Sequence, residues 1–595
     1  MCVNLEVKKL NKPLYIIIVV LLIASLIFGY LKFKEATESE TTTESDSPAV
    51  QSTAWWEEAV FYQIWPRSFK DTDGDGIGDF KGITSQLDYL ADLGITAIWL
   101  TPMFEAPSYH GYDFQEFYQV ESDYGTMADF EELLDEAEQR GIKVIADLVL
   151  NHISKDNEWF VKSAQKQAPY ADFFVLQPEI PQGNWGKPWA TPEKPEQGYN
   201  KPEWVWVHND VRDEYYYAAF DGSQPDLNLT NPQVVAELYK VTKFWADKGF
   251  DGFRLDAIRY AIEEGPYPLQ ADTDRTIQFW IDYQKYVKEQ VNPDLMLVGE
   301  VWAETDIVSK YYQNGAGIDT CFDFNFGTEV MAALNATATE QGAFGDSGDA
   351  KGSSLLTAMI ENFKTKARGD APVGFYSPFL TNHDQDRIMY QLGDDPAKMK
   401  IAAVLLLTNI GTPYIYYGEE IGLTQNQVGD DIFKRAPMQW DSSNLAGFTS
   451  ADNVWVDDGK WVPWRKDHQP WWQPMWQNQA NKAAHSVAGQ KADQASLLNL
   501  YKTLIRIRQE HAEFRSISND SLQFLEDNPA VCAYKRTLGT EQTSYVLINS
   551  SLSEPQTVTL AELTGEQMRD LITGKPVDVT AGTVTLEPAQ YVILK

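Results

Sequence analysis

Cysteine is nearly absent, with Cys2, Cys321 and Cys532 the only three in 595 residues. Three thiols cannot build a disulfide framework. No Cys-x-x-Cys or Cys/His spacing offers a zinc site, although a single Cys321–Cys532 bridge is left open. Positive charge is also scarce: 49 basic against 86 acidic residues give a formal charge of −37. Such a surface repels phosphate backbones and anionic lipid headgroups, so nucleic acid is not expected as a partner. The plain reading of the charge is a well-solvated surface. Long apolar runs are missing too, apart from one at the N-terminus.

That run, Pro13 to Leu31, follows Lys8, Lys9 and Lys12 and is rich in Ile, Val and Leu. At about 1.5 Å per residue it is just long enough to cross a bilayer core of about 30 Å as a helix. Phe28 to Lys34 reads FGYLKFK, a poor cleavage site, which favours an uncleaved signal anchor over a cleaved signal peptide. The expectation is a short cytoplasmic segment at 1–12, a transmembrane anchor at 13–31 and a disordered acidic tether at 32–53. The rest of the chain is then membrane-anchored and extracytoplasmic, periplasmic or extracellular.

Beyond the tether, strand and helix patterns alternate. Val60–Ile64, Ile95–Leu100 and Lys143–Leu150 read as strands. Ile83, Leu87 and Leu90, and then Phe130, Leu133, Leu134 and Ala137, mark the inner faces of helices. Gly141 stops the second helix. Between Asn151 and about Asp226 this rhythm gives way to Trp, Pro, Tyr and Gly, as in an insertion that builds a binding site. It resumes with strands predicted at Gly252–Leu255, Met296–Val301, Thr320–Phe324, Phe379–Asn382 and Thr412–Tyr417. Repeated β/α units imply parallel strands with helices outside, in a closed barrel or a doubly wound sheet. From about Ser516 short β-rich runs, among them Ser544–Ile548, Gln556–Leu560 and Tyr591–Leu594, suggest a small antiparallel sandwich.

Four acids stand where strands end: Asp147 in IADLVLNH, Asp256 in GFRLDAIRY, Glu300 in LMLVGEVW and Asp384 in FLTNHDQDR. In a β/α barrel the carboxyl ends of the strands converge on the active site. Arg254 and Asp256, two apart on one strand, point the same way, and an arginine beside a carboxylate is expected to hold it ionised.

The segments DLVLNH, GFRLD, GEVW and TNHD resemble the four signature regions of glycoside hydrolase family 13, the α-amylase family, in its order and near its spacings. The likeness runs from about Val60 to the C-terminus. It implies a (β/α)8 barrel built from 54–152 and 227–515, a domain B inserted at 153–226 after the third strand, and a C-terminal β domain at 516–595. It further implies a retaining mechanism, with Asp256 as nucleophile, Glu300 as acid and base, and Asp384 holding sugar hydroxyls. Tyr112 in YHGYD, His152, Arg254, His383 and Arg435 in KRAPMQWD match residues around the distorted sugar, although Ala436 replaces the commoner threonine.

Asp71 to Asp79 reads DTDGDGIGD, an oxygen-rich loop suited to a hard cation such as Ca²⁺. The resemblance makes it a structural calcium site formed by Asp71, Asp73, Asp75, the Ile77 carbonyl and Asp79. Asn151 is a candidate ligand for a second ion. QPDLN at Gln224–Asn228 is similar to a fifth signature of the oligo-1,6-glucosidase and α-glucosidase branch. Ala257, where 1,6-specific members carry valine, and Tyr109, where exo-acting members place an aspartate, point instead to an open site and an α-amylase. An α-glucan or maltooligosaccharide substrate and a monomer are expected. The alternatives are an exo-acting α-glucosidase, a transglycosylating relative and, more remotely, a non-catalytic membrane partner like the heavy chains of amino acid transporters. Such heavy chains use a cysteine just outside the membrane, and none stands between Leu31 and the globule.

Overall fold

The computed structural model describes residues 54–190, 200–335, 354–367, 371–425, 431–443, 445–451, 454, 484–579 and 581–595. Strands β1 (Phe61–Ile64), β2 (Ala97–Leu100) and β3 (Lys143–Leu148) open the chain's main sheet. Three short strands of the insertion follow: β4 (Leu176–Gln177), β5 (Trp206–Asn209) and β6 (Glu214–Tyr217). The main sheet resumes with β7 (Gly252–Leu255), β8 (Met296–Gly299), β9 (Thr320–Asp323), β10 (Tyr376–Pro378) and β11 (Tyr414–Tyr416). Its eight strands run in the order β10-β9-β8-β7-β3-β2-β1-β11, every pair parallel, and a parallel bridge between Phe379 and Tyr414 closes the ring. The fold is thus a (β/α)8 barrel.

Strand alternation sorts the side chains into two cores. Phe61, Trp99, Ile145, Met296, Val298, Phe322 and Tyr414 fill the barrel interior. Their neighbours in sequence, such as Tyr62, Ile98, Leu100, Ala146, Phe253 and Leu297, pack outward with the helices. Near-continuous burial along these strands reflects a sheet covered on both faces. The helix Met127–Gln139 shows how the outer layer is specified. Thr126 and Asp129 form a capping box, Phe130, Leu133, Leu134 and Ala137 are buried, and Gly141 follows at φ +69°. The expected helix around Ile83–Leu90 is two helices, Phe80–Ser85 and Leu87–Leu93, broken at Gln86.

The insertion carries an antiparallel sheet ordered β4-β6-β5. Its strands of two to four residues are too short to leave a periodic signature. The seventh barrel strand lies at Tyr376–Pro378, just ahead of the expected Phe379–Asn382, which forms the loop above it. In the C-terminal part, β12 (Leu522–Phe524), β13 (Val531–Leu538), β14 (Gln542–Asn549) and Tyr591–Leu594 make a four-stranded antiparallel sheet. Two two-stranded ladders accompany it. Cys321 on β9 and Cys532 on β13 are both free and buried, so the bridge left open by the sequence does not form.

The structure contradicts the expected membrane anchor. No helix among the described residues is long and apolar enough to cross a membrane. The run 13–31 and the tether 32–53, on which the anchored, extracytoplasmic placement rested, lie outside the described residues.

Candidate active site

Residues at 147, 254, 256 and 300 continue the inward-facing alternation of β3, β7 and β8, so their polar ends meet at the carboxyl mouth of the barrel. The fully buried Arg254 is the hub. Its Nη1 donates to Asp147 Oδ1 at 2.7 Å and to Asp256 Oδ1, and its Nη2 pairs with Glu300 Oε2 at 3.0 Å. Trp99 and Tyr112 flank the guanidinium, with ring centroids 5.3 and 5.8 Å away. Three acids on one base leave a surplus of negative charge in a place sheltered from water.

Burial pushes the Asp256 carboxyl up, against the Arg254 charge and hydrogen bond that pull it down. Arg254 lowers the Asp256 carboxyl as expected, but desolvation outweighs it, so the net shift is upward. Burial likewise raises Glu300, to about 7, with Asp256 and Asp384 adding to the rise and Arg254 and the Ala257 N–H opposing it. Asp256 has a hydrogen bond from Arg254 that Glu300 lacks, so Asp256 ionises first and Glu300 keeps its proton nearer neutrality. Ala257 sits in the left-handed region at φ +54° and donates its N–H to Glu300 Oε2 at 3.0 Å.

Across the mouth, His383 stacks on Tyr112 with centroids 5.5 Å apart. Gln63 Nε2, a donor, lies 2.8 Å from His383 Nδ1, so the network assigns the ring proton to Nε2. That nitrogen is 2.5 Å from the Tyr112 hydroxyl and 3.2 Å from Asp384 Oδ2, and the Tyr112 hydroxyl donates to Asp147 Oδ2 at 3.0 Å. Burial and the Arg435 and Arg254 charges hold His383 well below the usual imidazole range, so it is neutral. Arg435, stacked 4.3 Å from the Trp65 ring, reaches Asp384 Oδ1 at 3.1 Å and donates to the Tyr109 hydroxyl at 3.2 Å. Tyr109 is buried against Arg435 rather than leaving a gap at its position.

His152 stands at the end of β3 beside the Phe220 ring, 4.9 Å away, and burial lowers it to about 4. A backbone bridge from His152 to Asp226 ties the barrel to QPDLN, and Asn151 Nδ2 donates to Asp226 Oδ2 at 2.9 Å. The Asn151 amide is thus engaged with Asp226. All eight expected catalytic and sugar-binding residues belong to this mouth. The sequence reading did not single out Gln63, Ala257 as a strained donor, or an aromatic group made of Trp189, Phe220 and Tyr260. Nor did it single out Trp302, half exposed and stacked on Phe324 at 4.7 Å. Gln63, an uncharged polar residue on an inward strand position, was the detectable signal.

In the first βα loop, carboxylate oxygens of Asp71, Asp73 and Asp79 come within 4.8 Å of one another. Asp75 is not in that group. It takes the Ile77 N–H at 2.7 Å, and burial with the charges of Asp73 and Asp71 raises it to about 6. Asp71 accepts from Gly74 N, Gly76 N and Thr449 Oγ1, while Asp79 accepts from Thr72 and Gly82, so the loop is wound around its own acids.

A family model described as alpha amylase, catalytic domain, matches residues 63–516. A second, maltogenic amylase C-terminal domain, matches 522–593. Alpha-amylase 3 of Dictyoglomus thermophilum is 34% identical over 496 residues, covering 83% of this chain and 85% of its own length. Oligo-1,6-glucosidase of Bacillus cereus is 32% identical over 545 residues, covering 82% and 89%. The crystal structure of an alpha-amylase from H. orenii superposes with a TM-score of 0.71 at 31% identity, over 90% of this chain and 99% of its own. The chain belongs to glycoside hydrolase family 13, the α-amylase family, and is a glycoside hydrolase.

Proposed function

We propose that this protein is an α-amylase that hydrolyses α-1,4-glucosidic bonds in starch and maltooligosaccharides with retention, through a covalent glycosyl-enzyme on Asp256. The observation that carries this reading is the joining of Asp256 and Glu300 by one guanidinium, which gives a hydrogen bond to Asp256 and faces Glu300 at 3.0 Å. Retention needs two carboxyl groups only about 5 to 5.5 Å apart, one charged and one protonated. The Asp256 carboxylate attacks the anomeric carbon as Glu300 gives its proton to the departing glycosidic oxygen. Glu300, now ionised, takes a proton from water, which releases the sugar from Asp256 and restores both groups. Asp384, fixed by His383 and Arg435, holds sugar hydroxyls as charge develops on the ring. Tyr112, His152 and neutral His383 line the same subsite.

Asp71, Asp73 and Asp79 fit a hard divalent cation, since three carboxylates converge where charges already repel. Held by these three carboxylates, calcium would neutralise their charge and so steady the first βα loop. Internal attack is supported by Tyr109, which offers no carboxylate to a terminal sugar hydroxyl. A second reading, an exo-acting α-glucosidase, is favoured by the Tyr109–Arg435 contact, which walls the subsite beside Asp384. The products separate them. With soluble starch, iodine staining is expected to fall faster than reducing ends accumulate, and maltose and maltotriose are expected beside glucose. Glucose as the sole early product from maltoheptaose overturns the α-amylase reading in favour of the second.

A further inference from the structure

The strand ladder between β7 and β8 ends at the bond from Glu300 N to Leu255 O, 3.1 Å long, just where the two carboxyl groups begin. Beyond it, the turn that follows Asp256 and the turn that carries Glu300 are joined twice more. On the inner side, strained Ala257 gives its N–H to the Glu300 carboxylate. On the outer side, Arg259 Nη1 donates to the Trp302 carbonyl at 2.5 Å, two residues past Glu300.

Arg259 is itself held. Its Nε and Nη2 grip the Asp272 carboxylate at 3.1, 3.2 and 2.6 Å, and Asp272 N donates back to the Arg259 carbonyl at 2.8 Å. The Tyr311 hydroxyl donates to Asp272 Oδ1 at 2.7 Å. The Arg259 side chain is 20% and the Asp272 side chain 12% exposed, so the pair is mostly shielded and its fork geometry is fixed. Resting on the reading of Glu300 as the acid, we propose that Arg259, locked by Asp272 and Tyr311, is a positioning residue that sets the acid turn against the nucleophile turn and so aims the Glu300 carboxyl. A left-handed alanine returns to an ordinary conformation once its surroundings stop enforcing it. Release of the outer joint therefore frees the inner one.

The test compares maltoheptaose, whose leaving group needs a proton from Glu300, with α-maltosyl fluoride, whose leaving group needs none. kcat/KM reports the first chemical step for both. Arg259→Ala is expected to lower kcat/KM for maltoheptaose about tenfold to a hundredfold, through kcat, the scale of a misplacement of about 1 Å. The fluoride is expected to stay within about threefold. Arg259→Lys, which keeps the charge but has a single donor nitrogen in place of the fork, and Tyr311→Phe, which loosens Asp272, are expected to fall between and to show the same preference. If Arg259→Ala does not fold, these two variants decide.

Equal losses on both substrates show a merely structural ion pair and overturn the proposal. A raised KM for maltoheptaose with kcat unchanged shows a sugar contact and overturns it as well, as does an unaltered enzyme. Glu300→Gln is measured alongside. If it separates the substrates and the Arg259 variants do not, the positioning role alone falls; if it also treats them alike, the assignment of the acid falls with it.

Discussion

Glu300→Gln isolates the proton that the mechanism requires. Gln keeps the shape of the side chain and lies beside the same Arg254 Nη2 and Ala257 N–H, so the change is in proton supply more than in packing. In the unaltered enzyme Glu300 is pushed up to about 7, and the alkaline limb of kcat/KM on maltooligosaccharides is expected near that pH. General acid and base assistance together with lost charge at the same site is worth about four orders of magnitude, or about 5.5 kcal/mol of barrier. Stopped assays on maltoheptaose from pH 5 to 9 are expected to show that loss, with the alkaline limb gone. On α-maltosyl fluoride kcat/KM is expected to fall less than about a hundredfold, because fluoride leaves without protonation. A limb that persists near pH 7 in the variant, or equal losses on both substrates, refutes the assignment of Glu300.

Three further outcomes are expected. Excess chelator, and separately Asp71→Asn, lower the melting temperature while leaving low-temperature activity nearly intact, since a cation held by the native loop stabilises the folded state alone; scanning calorimetry with metal analysis checks this. Glu419, raised by burial from 4.5 to about 8, binds its proton more tightly folded than unfolded, so its contribution is full below about pH 4.5 and is lost as pH rises toward 8. Melting temperatures are therefore expected to fall across that window, and Glu419→Gln to flatten the fall; a rise with pH that the variant leaves untouched contradicts this. Ala257→Val places a β-branched residue at φ +54° and is expected to cost about 1 to 2 kcal/mol in denaturant titrations, whereas Ala257→Gly costs nothing or stabilises slightly.

Much of the barrel was readable because its strands are buried on both faces and end in acids. Gly252–Leu255 is a strand as expected, and the inward set 254, 256 and 300 follows from alternation alone. The insertion's sheet was not readable, since strands such as Leu176–Gln177 are too short for any period to show. The seventh strand was displaced because the apolar run Phe379–Leu380 continues past the last ladder pair into the loop that presents Asp384. At the site, residue types were legible and their balance was not. Arg254 beside Asp256 suggested a lowered carboxyl, but full enclosure among three acids raises it instead. Tyr109 read as an absent aspartate, and only the fold brings its hydroxyl to Arg435. The first βα loop was legible as an oxygen-rich run, yet the turn that takes Asp75 away to the Ile77 N–H is a feature of its winding.

The proposed mechanism stands on a covalent bond between Asp256 and the sugar. The most direct measurement incubates the enzyme with 5-fluoro-α-glucosyl fluoride, which forms the intermediate and slows its hydrolysis, and then maps the mass adduct on proteolytic peptides. One fluoroglucosyl group is expected on the peptide containing Asp256, absent in Asp256→Asn. An adduct on Glu300 or Asp384, or hydrolysis of the fluoride with no adduct and a β-anomer released first, contradicts it.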